Sequence, residues 1–193
     1  EDIAAFRAIP GMTVLSPSDA VEMYHAVRAM LEFEGPVYMR TGRSPSPRIP
    51  ELGEEFVIGR GRVIRSGKDA TIVACGVEVS RAVEAAESLA DEGIDARVVA
   101  MSTVKPVDLE LLEICARETG CIVTAEDHNV YGGLGGAVAE AVSASRPCPI
   151  EFVGVSDVFG ESGESEELAA KYGIGTDGII DAVRRGIKRK GNR

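Results

Sequence analysis

The sequence from about residue 60 onward alternates short apolar runs with amphipathic stretches. The runs are rich in Val, Ile and Ala and are bounded by turn residues, as buried strands are. The stretches between them carry apolar residues at helical spacing. Strands that alternate with helices predict a mostly parallel sheet with helices on both faces. The predicted strands are 61–64, 70–75, 94–101, 121–123 and 150–155, and the predicted helices are 78–91, 106–118, 134–142, 164–172 and 176–190.

The first predicted strand of this sheet differs from the others. Only a short turn joins 61–64 to 70–75, and parallel neighbours need a much longer crossover. We therefore expect the first strand to be an antiparallel edge. The fold class is α/β, with a mostly parallel open sheet and one antiparallel edge strand.

Residues 1–45 form a separate pattern of helix, strand, helix and strand, which reads as the end of a second α/β domain. Residues 44–54 then contain three prolines and no apolar period, which is typical of a linker. We predict domains at 1–45 and 55–193 with a linker at 46–54. Because the chain begins Glu-Asp-Ile, within a helical pattern, we expect an N-terminal portion in the same chain or in a separate polypeptide.

Local signals fix several helix ends. Asp19 and Glu22 have the spacing of a capping box. Asp108 is a cap for the helix that follows Pro106, and Gly120 is its stop signal. Ser162 and Ser165 are candidate caps near the helix at 164–172, where an anion site is the alternative.

Charge and composition exclude several classes of function. The net charge of −10 argues against a general nucleic-acid binder, and the basic segment 184–190 is read as a solvated helix end, with a binding patch as the alternative. No apolar run is long enough to cross a membrane and no secretory signal is visible. The four separated cysteines predict buried thiols in a reducing cytoplasm rather than a metal site.

The stretch 121–142 places polar residues between a strand and a glycine-rich helix start. Ligands often bind at the carboxyl ends of parallel strands, so Glu126–Asn129 is a candidate site. The glycines at 132–136 do not match a dinucleotide or phosphate-binding pattern, and close packing is the favoured interpretation. We expect Glu126 and Asp127 to be solvated loop acids, and His128 and His25 to be structural.

Arg40 and Arg43 follow the strand predicted at 37–39. An arginine fork suits phosphate or carboxylate recognition. A surface or interdomain salt bridge explains the same residues equally well, so the residues alone leave both interpretations open.

Taken together, the motifs resemble the C-terminal part of transketolase, and most closely its split, two-chain form. The resemblance covers nearly the whole sequence, and its specificity lies in the order and spacing of motifs that are individually weak. It rests on Ala8-Ile9-Pro10-Gly11-Met12-Thr13-Val14 with Ser16-Pro17-Ser18-Asp19, Gly35-Pro36-Val37-Tyr38 with Arg43, Glu126-Asp127-His128-Asn129 with Gly132-Gly133-Leu134-Gly135, Val158-Phe159-Gly160-Glu161-Ser162-Gly163, Glu167-Leu168 and Tyr172-Gly173-Ile174.

The resemblance implies that 1–45 is the end of a pyrimidine-binding domain and that 55–193 is the transketolase C-terminal domain. It implies transfer of a two-carbon ketol group between sugar phosphates, as in the pentose phosphate pathway, with thiamine diphosphate and Mg²⁺ as cofactors. Arg43 matches the arginine that binds the substrate phosphate. The resemblance also makes 126–129 and 132–136 an element of a dimer interface.

The family's catalytic and cofactor-binding residues correspond to sequence outside this chain. We therefore assign no catalytic, cofactor-binding or metal residue here and expect the isolated chain to be inactive and to bind no thiamine diphosphate. The implied partners are an N-terminal transketolase section, a second copy of the assembly and sugar phosphates, without nucleic acid or membrane. The alternatives are a section of 1-deoxyxylulose-5-phosphate synthase or of a 2-oxoacid dehydrogenase β subunit, or a non-catalytic assembly module.

Overall fold

The computed structural model describes residues 1–43 and 45–191. Within them the chain forms seven α-helices, eight strands and one short 3₁₀ helix. The helices are α1 (Asp2–Arg7), α2 (Ala20–Glu32), α3 (Glu78–Asp91), α4 (Leu109–Thr119), α5 (Leu134–Ala144), α6 (Ser165–Tyr172) and α7 (Thr176–Gly191). The strands are β1 (Thr13–Leu15), β2 (Val37–Met39), β3 (Arg62–Arg65), β4 (Ala70–Ala74), β5 (Ala96–Ala100), β6 (Thr103–Lys105), β7 (Ile122–Asn129) and β8 (Ile150–Val155), and the 3₁₀ helix is Pro50–Leu52.

The larger sheet has five strands in the order β3-β5-β4-β7-β8. Strands β5, β4, β7 and β8 run parallel, with Ile72 opposite both Val98 and Val123. Strand β3 pairs antiparallel with β5 at the edge. The predicted fold class, including the antiparallel edge strand, is confirmed.

Helices cover both faces of this sheet, because successive side chains of a strand point to opposite sides. In β4, Ile72 packs into one apolar cluster and Val73 into the other. The first cluster is completed by residues of α3 and α7, including Leu89 and Ile179. The second is completed by residues of α1, α4 and α5, including Leu134. Each face of the sheet is therefore buried, as in other sheets built from strand–helix–strand units.

A second, three-stranded sheet has the order β2-β1-β6. Strand β1 pairs parallel with β2 and antiparallel with β6. The sequence did not predict β6, because a three-residue strand carries no readable alternation and this one pairs only with a distant segment. The pairing joins the first 45 residues directly to the larger part of the chain.

The proline-rich segment is anchored rather than free. Ile49 and Leu52 are buried in the first apolar cluster, and the Ile49 amide donates to the Asp19 carboxylate at 2.8 Å. Asp19 also caps α2 by accepting from the Glu22 amide at 2.8 Å. This part of the predicted linker is therefore packed, since burial of two apolar side chains holds it against the sheet.

The predicted helix ends are confirmed for α4 and wrong for the start of α6. Asp108 caps α4 and Gly120 ends it in the left-handed conformation, as expected. Ser162 and Ser165 are not caps: α6 begins after Glu164 and has no side-chain cap. Segment 184–190 lies in the last turns of α7, where Arg185 and Arg189 pair with Glu151. These contacts support the structural interpretation of the basic segment.

The apolar face of α2 is exposed. Tyr24, Val27 and Leu31, aligned in the sequence, are 58%, 40% and 83% exposed. An apolar stripe on an amphipathic helix normally packs against other structure. Among the described residues, no helix has the length and hydropathy needed to cross a bilayer.

We predict that Asp108→Ala lowers the free energy of unfolding by about 2 to 3 kcal/mol. The carboxylate accepts from the Leu111 amide at 3.1 Å and from the Gly61 amide at 3.0 Å, so alanine leaves both donors without this partner. The two amides bind different carboxylate oxygens, so Asp108→Asn keeps an acceptor for only one of them and is expected to lose about half as much. Equal losses in urea unfolding of the two variants would contradict this account.

Candidate functional site

The carboxyl ends of β2, β4, β7 and β8 come together at one edge of the molecule. A cavity of about 300 Å³ opens there. It is lined by Arg43 after β2, Val77 after β4, Asp127 near the end of β7 and the loop that follows β8, together with Arg81 of α3. The location agrees with the general rule for ligand binding in open α/β sheets.

Arg43 lies exposed at the mouth of this cavity. Within residues 1–43 and 45–191, its guanidinium makes no hydrogen bond or ion pair, in contrast to Arg40 and Arg81, which lie close by. A guanidinium that is exposed and unpaired at a cavity mouth is available to bind an anion. The structure thus leaves the predicted phosphate-binding role of Arg43 open and gives it a suitable position.

Arg40 is engaged with protein groups instead. Its guanidinium donates to the backbone oxygen of Asp127 and pairs with the carboxylates of Asp127 at 3.6 Å and Asp2 at 3.5 Å. Asp2 in turn accepts from the Tyr38 hydroxyl at 2.6 Å. Of the two interpretations left open by the sequence, the salt bridge applies to Arg40.

A buried ion pair below the cavity was not predicted. Glu78, at the start of α3, is fully buried and pairs with Arg81, which also binds Glu166 at 2.9 Å. One carboxylate oxygen of Glu78 has no hydrogen-bond partner within the described residues. Burial raises the pKa of Glu78 to about 7, although Arg81 opposes the shift. An acidic and a basic residue three positions apart are so common on exposed helices that the sequence gave no reason to single them out.

Glu126 is the cap of α5 and not a solvated loop acid. Strand β7 continues through Asn129, so Glu126 points inward and Asp127 points outward. Glu126 is 1% exposed, and its carboxylate accepts from the amides of Leu134 at 2.7 Å and Gly135 at 2.8 Å. The expectation is wrong for Glu126. Asp127 is exposed, as expected, but it lies in the strand and pairs with Arg40, because the strand is longer than its apolar run indicates.

The glycine cluster allows close packing, as predicted. A Cβ atom at Gly133 would lie 2.0 Å from the Glu126 carboxylate, and one at Gly135 would lie 2.6 Å from the ring of Phe152. Gly132 has a φ of +75° and lies against Ala4 of α1. The space beside these glycines is therefore filled by protein atoms.

Helix α1 packs on the same segment. The Arg7 guanidinium donates to the backbone oxygens of Gly132 at 2.6 Å and Gly133 at 3.1 Å, and pairs with Glu140 at 2.7 Å. His128 is 3% exposed, accepts from the Ala4 amide at 3.4 Å, and has a pKa lowered by burial. These contacts make His128 structural, as expected.

The start of α5 is not open to a diphosphate. Amides at the start of a helix suit a phosphate. At the start of α5, the amides of Leu134 and Gly135 already donate to the Glu126 carboxylate. The amides of Leu134 and Gly135 are therefore not available to a phosphate group. No group of three or more His, Cys, Asp or Glu side chains in the described part of the chain is arranged to hold a metal ion.

A larger groove of about 690 Å³ lies away from this edge, between α4 and α5. Its floor is apolar, including Val104 and Ala141, and its rim carries Glu110, Glu113 and Glu140. It holds neither Arg43 nor the ends of the parallel strands, so we place the candidate site in the smaller cavity.

Two family profiles match the chain. Residues 59–179 match the transketolase C-terminal domain, and residues 1–47 match the transketolase pyrimidine-binding domain. The chain belongs to the transketolase family. The first relatives matched are longer, and the chain spans about 60% of their length.

Three relatives illustrate the range of the transketolase family around this chain. The 6-deoxy-6-sulfo-D-fructose transketolase subunit SqwH of Clostridium sp. (strain MSTE9) is 42% identical over 193 residues, covering 100% of this chain and 60% of SqwH. A solved structure described as a split gene transketolase, inactive beta4 tetramer, is 48% identical with a TM-score of 0.95, covering 98% of this chain and 62% of that one. The 1-deoxy-D-xylulose-5-phosphate synthase 1 of Geobacter sulfurreducens is 37% identical over 194 residues, covering 98% of this chain and 30% of the synthase.

We predict that Glu78→Gln changes how stability depends on pH. The folded-state pKa of about 7 lies above the ordinary value of 4.5, so the protonated form favours folding at low pH and this stabilisation is lost as the pH rises through 7. Relative to Glu78→Gln, the wild-type free energy of unfolding should fall by roughly 2 to 4 kcal/mol between pH 4.5 and pH 8. Urea unfolding measures this difference. Glu87→Gln, on the exposed side of the same helix, is the control, and an identical pH trend in both variants would refute the prediction.

Proposed function

We propose that this chain is the C-terminal section of a transketolase and that, together with an N-terminal section, it transfers a two-carbon ketol group between sugar phosphates. The observation that carries the proposal is the exposed guanidinium of Arg43, unpaired within residues 1–43 and 45–191, at the cavity where the parallel strands end. Family membership supplies the reaction class, and the cavity supplies a position for the phosphate group of the substrate.

The proposed domain division is a pyrimidine-binding part at 1–45, a connection at 46–54 and a C-terminal domain at 55–193. The two profile matches, at 1–47 and 59–179, and the two separate sheets support it. The exposed apolar face of α2 supports a partner as well. Tyr24, Val27 and Leu31 would be covered by the remainder of the pyrimidine-binding domain.

Thiamine diphosphate and Mg²⁺ belong to the complete assembly in this proposal. When bound, the cofactor stabilises the carbanion of the transferred unit. The filled helix start at α5 and the absence of a three-ligand cluster among the described residues support the view that the cofactor is held outside this chain. The chain's own task is to orient the substrate phosphate and to complete the fold around the site.

Assembly with like copies is the remaining part of the proposal. A split gene transketolase that is 48% identical is described as an inactive beta4 tetramer, which supports self-association of this chain and inactivity in isolation. In this chain, the proposed dimer-interface element is 126–129 with 132–136, which packs against α1. The proposed location is the cytoplasm, in keeping with the acidic, thiol-containing composition.

The synthase relative makes 1-deoxyxylulose-5-phosphate formation the second candidate function. The two reactions differ in the donor substrate, since the synthase reaction uses pyruvate and the transketolase reaction uses a ketose. The complete assembly is given an aldose phosphate with either donor. Product from the ketose donor alone supports the transketolase, and product from pyruvate supports the synthase.

We predict that Arg43→Ala raises the KM for a phosphorylated substrate by about 10- to 100-fold, because a charge-assisted contact to phosphate contributes about 1.5 to 3 kcal/mol. Steady-state kinetics of the assembled enzyme measures the effect. The KM for the unphosphorylated sugar should stay within about twofold. Arg48→Ala, exposed and outside the cavity lining, is the matched control. Loss of assembly with a normal KM would favour the non-catalytic module.

We also predict that the isolated chain does not bind thiamine diphosphate in the presence of Mg²⁺. Calorimetric titration of the chain alone should show no saturable heat, and the same titration of the complete assembly should show binding. Stoichiometric binding by the chain alone would contradict the assignment of the cofactor site to other sequence.

A further inference from the structure

Arg40 joins three separate parts of the molecule at the edge of the cavity. Its backbone amide donates to Leu15 of β1 at 2.9 Å, its Nε lies 3.5 Å from the Asp2 carboxylate of α1, and its terminal nitrogens contact the backbone and carboxylate oxygens of Asp127 in β7. Asp2 is itself held by the Tyr38 hydroxyl at 2.6 Å. The Arg40 guanidinium is therefore held between the carboxylates of Asp2 and Asp127.

Asp127 and Arg43 line the same cavity. The Asp127 side chain is 49% exposed, so its carboxylate remains partly open to the cavity. Arg43 is only three residues beyond Arg40 and has no partner among the described residues. An arginine and an aspartate on the walls of one small cavity attract each other unless another charge intervenes.

Arg81, the other arginine that lines the cavity, is not available to neutralise Asp127. Arg81 is bound by Glu78 and Glu166. Glu161 and Glu164 also line the cavity and add negative charge. Among the described residues, Arg40 is thus the cation that contacts Asp127.

We propose that Arg40 is a positioning residue: by pairing with Asp127, it prevents that carboxylate from capturing Arg43 and leaves Arg43 available to a phosphate ester. The proposal rests on the proposed function, in which Arg43 binds the substrate phosphate. Without Arg40, Asp127 would both compete for Arg43 and repel the incoming phosphate. The effect falls on substrate binding, since neither Arg40 nor Asp127 is assigned a part in bond making or breaking.

The experiment uses the complete assembly and compares a phosphorylated acceptor with the unphosphorylated sugar. Arg40→Gln, which keeps hydrogen-bonding capacity and removes the charge, should raise the KM for the phosphorylated acceptor about tenfold with kcat within about twofold. Arg40→Lys should keep the KM within about threefold. The KM for the unphosphorylated sugar should not change in either variant.

The decisive variant is Arg40→Gln combined with Asp127→Asn. If Arg40 acts by neutralising Asp127, removing the aspartate charge restores most of the lost affinity. If Arg40 only holds β2 against β7, Asp127→Asn restores nothing, and the proposal is overturned. Arg48→Ala serves again as the control for loss of an exposed positive charge, and thermal unfolding of each variant verifies that it folds.

Failure of the inference differs from failure of the proposed function. A normal KM in the Arg43→Ala enzyme would show that Arg43 does not bind the substrate phosphate, and the proposed function of this site would fail. A raised KM in Arg43→Ala with an unaffected Arg40→Gln overturns only the role of Arg40. If both single variants raise the KM, combining Arg40→Gln with Arg43→Ala should raise it by less than the product of the two single increases, because the competition of Asp127 for Arg43 disappears when Arg43 is absent.

Discussion

The rest of the structure depends on the hydrogen bonds of the buried Glu126 carboxylate. It accepts hydrogen bonds from the amides of Leu134 and Gly135 and so connects the central strand β7 to the first turn of α5. The geometry requires glycine at 133, because a Cβ atom there would meet the carboxylate at 2.0 Å. The same turn presents two backbone oxygens to Arg7. Replacement of water by two amide donors offsets the cost of burying this charge.

The alternation set by Glu126 also places the residues of the cavity. With Glu126 directed inward, Asp127 must face outward, where it meets Arg40 and borders the cavity of Arg43. Adjacent residues of one strand thus take a buried and a cavity-facing position. A shift of one residue in this strand would bury Asp127 and expose Glu126.

The sequence predicted those features that depend on local patterns. Asp108 and Gly120 bound α4 as expected, because capping is a local interaction. Strand β6 and the polar end of β7 were missed, because β1 and β8, their partners, are far away in the chain. Arg40 and Arg43 were singled out by their place after a predicted strand, and the phosphate-binding role proposed for Arg43 came from the family resemblance. The pairs Arg40–Asp127 and Glu78–Arg81 were not predicted, because they depend on burial and on contacts with distant segments.

The pairing of β1 with β6 has a consequence for cooperativity. Ile3 and Val14 from the start of the chain lie in the same apolar cluster as Leu112 and Leu134. Opening the small sheet would therefore break the β6 hydrogen bonds and expose part of the core beneath the large sheet. Segments that share strands and core in this way open together rather than separately. The segment that carries Arg43 accordingly lies at the end of a strand whose local opening is linked to unfolding of the large domain.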